Sequence, residues 1–202
     1  MSRVTQAQFY LNEQDFISQL RSGDASAYKQ LVGSFGDKVH NTVISILQNE
    51  EDAEDITQEV FIEVFRSVHG FKGESTLSTW IYRISVMKSF EFLRKKKRKK
   101  RFAIVQSLFG MESVLPETDK PHFYHPGVQL ENKERAAILF SAIDKLPENQ
   151  KTAFILHKTE GLSYTEIADI MKTSVSSVES LMFRAKQNLQ KLLADYYNKN
   201  EK

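Results

Sequence analysis

Between residues 15 and 47 the apolar side chains Phe16, Leu20, Tyr28, Leu31, Val32, Phe35, Val39, Val43, Ile44 and Leu47 recur mainly three and four positions apart. That spacing gathers them on one side of an α-helix and does not fit the two-residue alternation of a half-buried strand. Ser22-Gly23-Asp24 interrupts the pattern, so two helices are expected there. Ala53, Ile56, Val60, Val64 and Val68 form a further stripe, with Phe61 and Phe65 beside it, which predicts an amphipathic helix from Glu50 to about Gly70. Residues 71–79 are turn-like, and helical spacing resumes through Trp80, Ile81, Ile84, Met87 or Phe90, and Leu93. With 4 Pro and 8 Gly in 202 residues, little else breaks the pattern, and an all-α fold is expected.

The character of the chain changes after residue 101. Residues 102–133 hold three of the four prolines (Pro116, Pro121, Pro126) and no sustained period, the composition of a flexible linker. Helical patterns return over residues 136–146, closed by Pro147, and over residues 149–158. The expected organisation is two small helical domains, 1–101 and 134–202, joined by the linker 102–133.

The absence of cysteine removes disulfides, thiolate nucleophiles and Cys-based zinc sites. No window has the continuous apolar length of a signal peptide or membrane span, so a soluble cytoplasmic protein without membrane insertion is expected. Asp52, Asp55 and Glu59 share a regular helix face with no second ligand cluster, and His122 with His125 stands in the proline-rich stretch. Neither set makes a catalytic or metal centre, so no enzyme and no cofactor are expected.

Charge is unevenly distributed. Eight of the 28 Lys and Arg residues are consecutive, Arg94 to Arg101 (RKKKRKKR), which leaves 20 against 26 Asp and Glu elsewhere. A positive block in an otherwise acidic chain points to a polyanion. Phe71, Trp80, Tyr82, Phe90 and Phe92, interleaved with Lys72, Arg83 and Lys88, lie just before it. Flat side chains stack on unpaired bases at about 1 to 3 kcal/mol each while cations follow the phosphates, so single-stranded nucleic acid is the indicated partner, while several of these aromatics, with Trp80 and Phe90 as candidates, must also serve the core. The helix before them carries Asp52, Asp55, Glu59, Ile62, Glu63 and Arg66 opposite its apolar stripe, a face suited to a basic helix of a protein partner.

Ser163-Tyr164-Thr165-Glu166 is a capping box opening a short helix with Ile167, Ala168 and Met171 inward. A tight connection, Lys172-Thr173-Ser174, leads to a longer helix capped by Ser174 or Ser176 and running through Val178, Leu181, Met182, Ala185, Leu189 and Leu192. Two helices joined this tightly predict a helix-turn-helix. Its second helix would present Ser176, Ser177, Glu179, Ser180, Phe183 and Arg184 at the exposed early positions that meet base edges in a major groove, with Arg184, Lys186 and Lys191 supplying phosphate contacts.

Three segments in order, DAEDITQEVFIEVFRSV (52–68), FKGESTLSTWIYRIS (71–85) and GLSYTEIADIM…SVSSVESLMFRAKQNL (161–189), resemble the ECF branch of bacterial sigma factors. The resemblance implies a non-catalytic transcription initiation factor in which a σ2 domain binds core RNA polymerase and opens the -10 element, and a σ4 domain reads the -35 element. It assigns Asp52, Asp55, Gln58, Glu59 and Ile62 to the clamp helices of the β′ subunit. It assigns Lys72, Glu74, Ser75, Thr76, Ser78, Trp80, Tyr82, Arg83, Met87, Lys88, Arg94 and Lys95 to the -10 strand. Tyr164, Thr165, Ser176, Ser177, Glu179, Ser180, Phe183, Arg184 and Lys186 fall to the -35 duplex. The linker, with Glu112, Glu117 and Asp119, would pass through polymerase near its β subunit and active cleft, and an anti-sigma factor is implied as a further partner.

Three positions depart from that pattern. Met87 stands where many relatives carry a base-binding Asn, Glu179 and Leu181 replace frequent basic residues, and Lys172 replaces a frequent turn glycine. Lys172 at positive φ would cost about 1 kcal/mol. The alternative function, a stand-alone helix-turn-helix regulator that does not bind polymerase, explains residues 161–193 but not the acidic face or the aromatic and basic block.

Overall fold

Gly23 adopts φ +78 and ends helix α1 (Gln6–Arg21), and the side chain of Asp24 accepts the Ala27 N–H at 2.9 Å to start α2 (Ala25–Leu47). The break expected at Ser22-Gly23-Asp24 is therefore a C-cap joined directly to an N-cap. The computed structural model describes residues 6–108 and 133–200, with side chains from 13–99 and 135–194. Among the described residues every regular element is helical.

Gln48 ends α2 in the left-handed region (φ 55), and its amide donates to the carbonyls of Ile44 and Ser45. Asn49 caps α3 (Glu50–Ser67) by accepting the Asp52 N–H at 2.8 Å. Glu50, Glu51 and Asp52 occupy the first turn of α3, where carboxylates complement the positive end of the helix dipole. A 3-10 turn, Val68–Gly70, leads to α4 (Leu77–Leu108). Thr76 and Glu13 cap α4, accepting the N–H groups of Thr79 and Leu77.

Leu31, Val43, Val60, Val64 and Ile81 are all at or below 1 % exposure and form the centre of the α2–α3–α4 bundle. Helix α4 continues through the cationic block to Leu108, although the linker was expected to begin at residue 102. Lys and Arg are good helix formers, and no Gly or Pro occurs between Trp80 and Phe109. The prolines, acidic residues and histidines of the expected linker lie outside the described residues.

The second bundle contains α5 (Lys133–Asp144), α6 (Glu148–Lys158), α7 (Tyr164–Met171) and α8 (Val175–Asn200). Pro147 precedes α6 as its N-cap, which suits a residue with no N–H to offer. Ile167, Val178 and Met182, each at 1 % exposure or less, join α7 to α8, with Leu156 from α6 beneath them. Lys172 does sit at positive φ (51), as the C-cap of α7.

Replacing Lys172 with Gly should remove left-handed strain of roughly 1 kcal/mol, partly offset by the greater freedom of Gly in the unfolded chain. A net gain of about 0.5 kcal/mol in urea denaturation is expected, with the m-value unchanged.

Candidate nucleic-acid interface

On α3, the apolar stripe points into the core and leaves Asp55, Gln58 and Glu59 exposed, with Asp52 half-buried. Ile62 is 48 % exposed beside them. Phe65, expected to flank the buried stripe, is also exposed, at 54 %. Its ring centroid lies 4.8 Å from that of Tyr28 on α2, one turn before the exposed Val32. An apolar strip thus borders the acidic face. The sequence signal was present, since Ile62 and Phe65 are three apart, but the direction of the strip depends on where α2 packs.

The segment ahead of α4 exposes Lys72, Glu74 and Thr76, with Ser75 and Ser78 half-buried. Gly73 bends it at φ +74, and the Arg21 guanidinium holds it by donating to the Phe71 carbonyl. Of the five aromatics expected to meet bases, Phe71, Tyr82 and Phe90 are buried and Trp80 and Phe92 half-buried. Phe71 instead packs under Trp80, ring centroids 5.0 Å apart. Met87 is more than half exposed, and Lys88 pairs with Glu63 at 2.9 Å.

The cationic block is not a free arm. Arg94 pairs with Glu148, Lys95 with Glu91 and Lys96 with Asp52, at 2.8, 2.9 and 2.8 Å. Exposed pairs of this kind are screened by solvent and contribute little, so they yield readily to a phosphate backbone or a partner.

Tyr82 and Arg83 face the second bundle. Tyr82 packs with Ala153, Leu156 and Ile167, and its hydroxyl donates to Glu160 at 3.2 Å. Burial pushes the Glu160 carboxyl up, and burial together with the Glu160 charge pushes the Tyr82 phenol up. Arg83 donates to the carbonyls of Asp169 and Ile170 at 2.5 and 3.3 Å, at the negative end of the α7 dipole. Lys151, 3 % exposed, donates to the Ile46 carbonyl of α2 at 2.7 Å and to Asp144 at 2.6 Å. Burial lowers its pKa against the opposing pull of Asp144. Sequence reading missed Lys151 and Glu160, although a lysine four residues before the buried Ile155 is a charge on an apolar stripe.

In the helix-turn-helix, the capping box forms as expected: Glu166 N–H donates to Ser163 Oγ at 3.3 Å, and the Ser163 N–H returns to the Glu166 carboxylate at 2.8 Å. Ser174 rather than Ser176 caps α8, accepting the Ser177 N–H at 3.2 Å. Ser176, Glu179, Ser180, Phe183, Arg184 and Lys186 are exposed, Phe183 at 63 %, while Ser177 is half-buried. On α7, Thr165 is exposed and Tyr164 packs edge-on to His157, ring centroids 5.0 Å apart. The outer face of α8 therefore holds hydrogen-bonding, aromatic and cationic groups together, the set that reads base edges in a groove.

The Ser163 N–H and hydroxyl hold the Glu166 carboxyl below its ordinary value. Its stabilising contribution is present above the unfolded carboxylate pKa, near 4.3, and is lost as pH falls through the lower folded value. Ser163→Ala should cost about 1 kcal/mol at neutral pH, and the difference from the parent chain should shrink on acidification in a denaturation series.

The sigma-70 region 2 family matches residues 31–99 and the sigma-70 region 4 family matches residues 136–189. The chain is 32 % identical over 184 residues to the ECF RNA polymerase sigma-E factor of Haemophilus influenzae, covering 89 % of this chain and 94 % of that one. It is 30 % identical over 190 residues to the RNA polymerase sigma-H factor of Pseudomonas aeruginosa, covering 90 % and 93 %. Its fold is similar to that of CnrH in complex with the cytosolic domain of CnrY, with TM-score 0.64, 22 % identity and coverage of 91 % and 97 %. It is also similar to the sigma factor RpoE of Bartonella quintana in complex with the anti-sigma factor NepR, with TM-score 0.57, 23 % identity and coverage of 83 % and 96 %. Two family regions in order and this identity across nearly the whole chain establish that the protein belongs to the ECF sigma factors of the sigma-70 family.

Proposed function

We propose that the protein binds bacterial core RNA polymerase and directs it to promoters, with the first helical bundle engaging polymerase and the -10 element and the second reading the -35 element. The observation that carries this reading is the presence of both sigma regions, in order, in one chain. On this reading the domains are 1–101 and 134–202, linked by 102–133, and the protein acts in the cytoplasm without catalysis. Among the described residues no helix is long and apolar enough to cross a membrane, and no group of three or more His, Asp or Glu is arranged to hold a metal ion.

Asp55, Gln58, Glu59 and Ile62, with Asp52 released from Lys96, dock on the β′ clamp helices. Exposed carboxylates beside an apolar strip support this, since charge steers the encounter and apolar burial supplies affinity. The segment from Lys72 to Trp80, with Met87 and Lys88, captures the -10 strand, and Arg94 and Lys95 hold its backbone. Thr165, Glu179, Ser180, Phe183, Arg184 and Lys186 face the -35 duplex, with Tyr164, Ser176 and Ser177 supporting them. An anti-sigma factor is a further partner, as for the Bartonella quintana RpoE whose structure includes NepR. A stand-alone helix-turn-helix regulator would leave the region 2 match unused.

Run-off transcription with purified core enzyme tests the function directly, and failure to bind core would overturn it. Changing Asp55 and Ile62 together to Lys should weaken core binding at least tenfold, while circular dichroism shows an unchanged helical fold. Neutralising Arg94, Lys95, Lys97 and Arg98 should lower promoter affinity nearly uniformly across sequences and flatten its dependence on salt, as expected for phosphate contacts. A loss confined to particular promoters would assign the block to base reading instead.

A further inference from the structure

We propose that Glu179 selects cytosine at one position of the -35 duplex, by accepting from the cytosine amino group in the major groove. This rests on the assignment of α8 to that duplex, made above. Glu179 is exposed on the outer face of α8, and among the described residues its carboxylate has no hydrogen-bond or ion-pair partner. Val175, Ser176, Met182 and Phe183, the residues three and four positions away on the helix, include no cation to neutralise it. At about 100° per residue, Glu179 and Arg184 stand on opposite flanks of the exposed face, with Ser180 and Phe183 between them. Ser180 donates its hydroxyl to the Ser176 carbonyl at 3.0 Å, so toward the groove its oxygen is left to accept. Hydrogen-bond acceptors thus lead the reading face, and the donors Arg184 and Lys186 follow.

A carboxylate entering a groove walled by phosphates is repelled by them and loses its water. Phe183, 63 % exposed and one turn further along, shields the same side from water when the helix docks. An unmatched acceptor is costly there, so the position is decided as much by the bases it rejects as by the one it binds. Guanine offers two acceptors, N7 and O6, and thymine offers the acceptor O4 beside a methyl group, so neither can donate to Glu179. Adenine offers its N6 amino group, but the N7 lone pair beside it opposes the second carboxylate oxygen. Cytosine offers its N4 amino group with no acceptor on its own edge of the groove, and it is the base that matches a carboxylate. Arg184, a fork of donors, matches guanine O6 and N7. Five residues of helical rise separate the two side chains by about 7.5 Å, roughly two base steps of a duplex.

Core polymerase reconstituted with the full-length chain is allowed to select from DNA whose duplex is randomised upstream of a pre-melted bubble. Glu179→Gln, Glu179→Ala and Arg184→Ala versions select in parallel. The parent should enrich cytosine about tenfold at one position, within about three base pairs of the guanine whose enrichment Arg184→Ala abolishes. Glu179→Gln should move the preference at that position from cytosine to adenine, because an amide accepts from N6 and donates to N7, and Glu179→Ala should leave it indifferent. Circular dichroism should be unchanged in both, as befits an exposed residue without a partner. If both Glu179 substitutions raise affinity for every duplex alike and the cytosine preference stays, the carboxylate acts only by repelling phosphate and the assignment is overturned. A Glu179-dependent position that holds another base overturns it too. A change produced by Arg184→Ala but by neither Glu179 substitution overturns it while the duplex-reading role of α8 stands. If the parent selects no common sequence, or none of the three substitutions alters the selection, the placement of α8 on the -35 duplex fails and the cytosine assignment fails with it.

Discussion

Helix α4 is a shared wall, and the placement of everything else depends on it. Ile81 faces the core made with α2 and α3, whereas the adjacent Tyr82, about 100° further round the helix, faces the core made by α6, α7 and α8. A helix that feeds two cores must be lined by groups that permit close packing on more than one side. Ser85 and Ser89 do this: both are fully buried, and their hydroxyls donate to the carbonyls of Ile81 and Ser85 one turn back. Small side chains that satisfy themselves on their own backbone let neighbouring helices approach without leaving a polar group unpaired.

The two bundles meet through a mixture of contacts with different roles. Apolar burial between α2, α5, α6 and α8 supplies the undirected attraction, and hydrogen bonds from Tyr82, Arg83 and Lys151 choose the geometry. A buried ammonium is a poor source of stability, because its desolvation consumes most of the Coulomb gain. It is an effective source of register, since a small shift would leave it uncompensated.

What remains exposed is as informative as what is buried. Ile62 and Phe65 on α3, Val32 on α2 and Phe183 on α8 are large apolar groups in water, set among charged residues. Scattered apolar exposure is ordinary, but a strip bordered by carboxylates and an aromatic on a helix-turn-helix reading face are the forms that interfaces take. On the function proposed above, these surfaces take separate tasks: one toward protein, the other toward duplex DNA.

Local chemistry was legible from the sequence wherever neighbours along the chain decide the outcome. The helix break at Gly23-Asp24, the capping box at Ser163 and Glu166, the turn at Lys172 and the reading helix all follow from residues within one or two turns of each other. Three ordered motifs likewise carried the family. The same periodicity could not say how many partners a helix has. Phe71, Tyr82 and Phe90 have the composition of a base-stacking cluster yet are buried, Phe65 flanks a buried stripe yet is exposed, and Lys151 carries a charge yet lies inside. Spacing along a helix determines which residues share a face. Only the packing of helices distant in sequence determines which faces water, DNA or polymerase can reach, because burial is a property of the neighbour as much as of the residue.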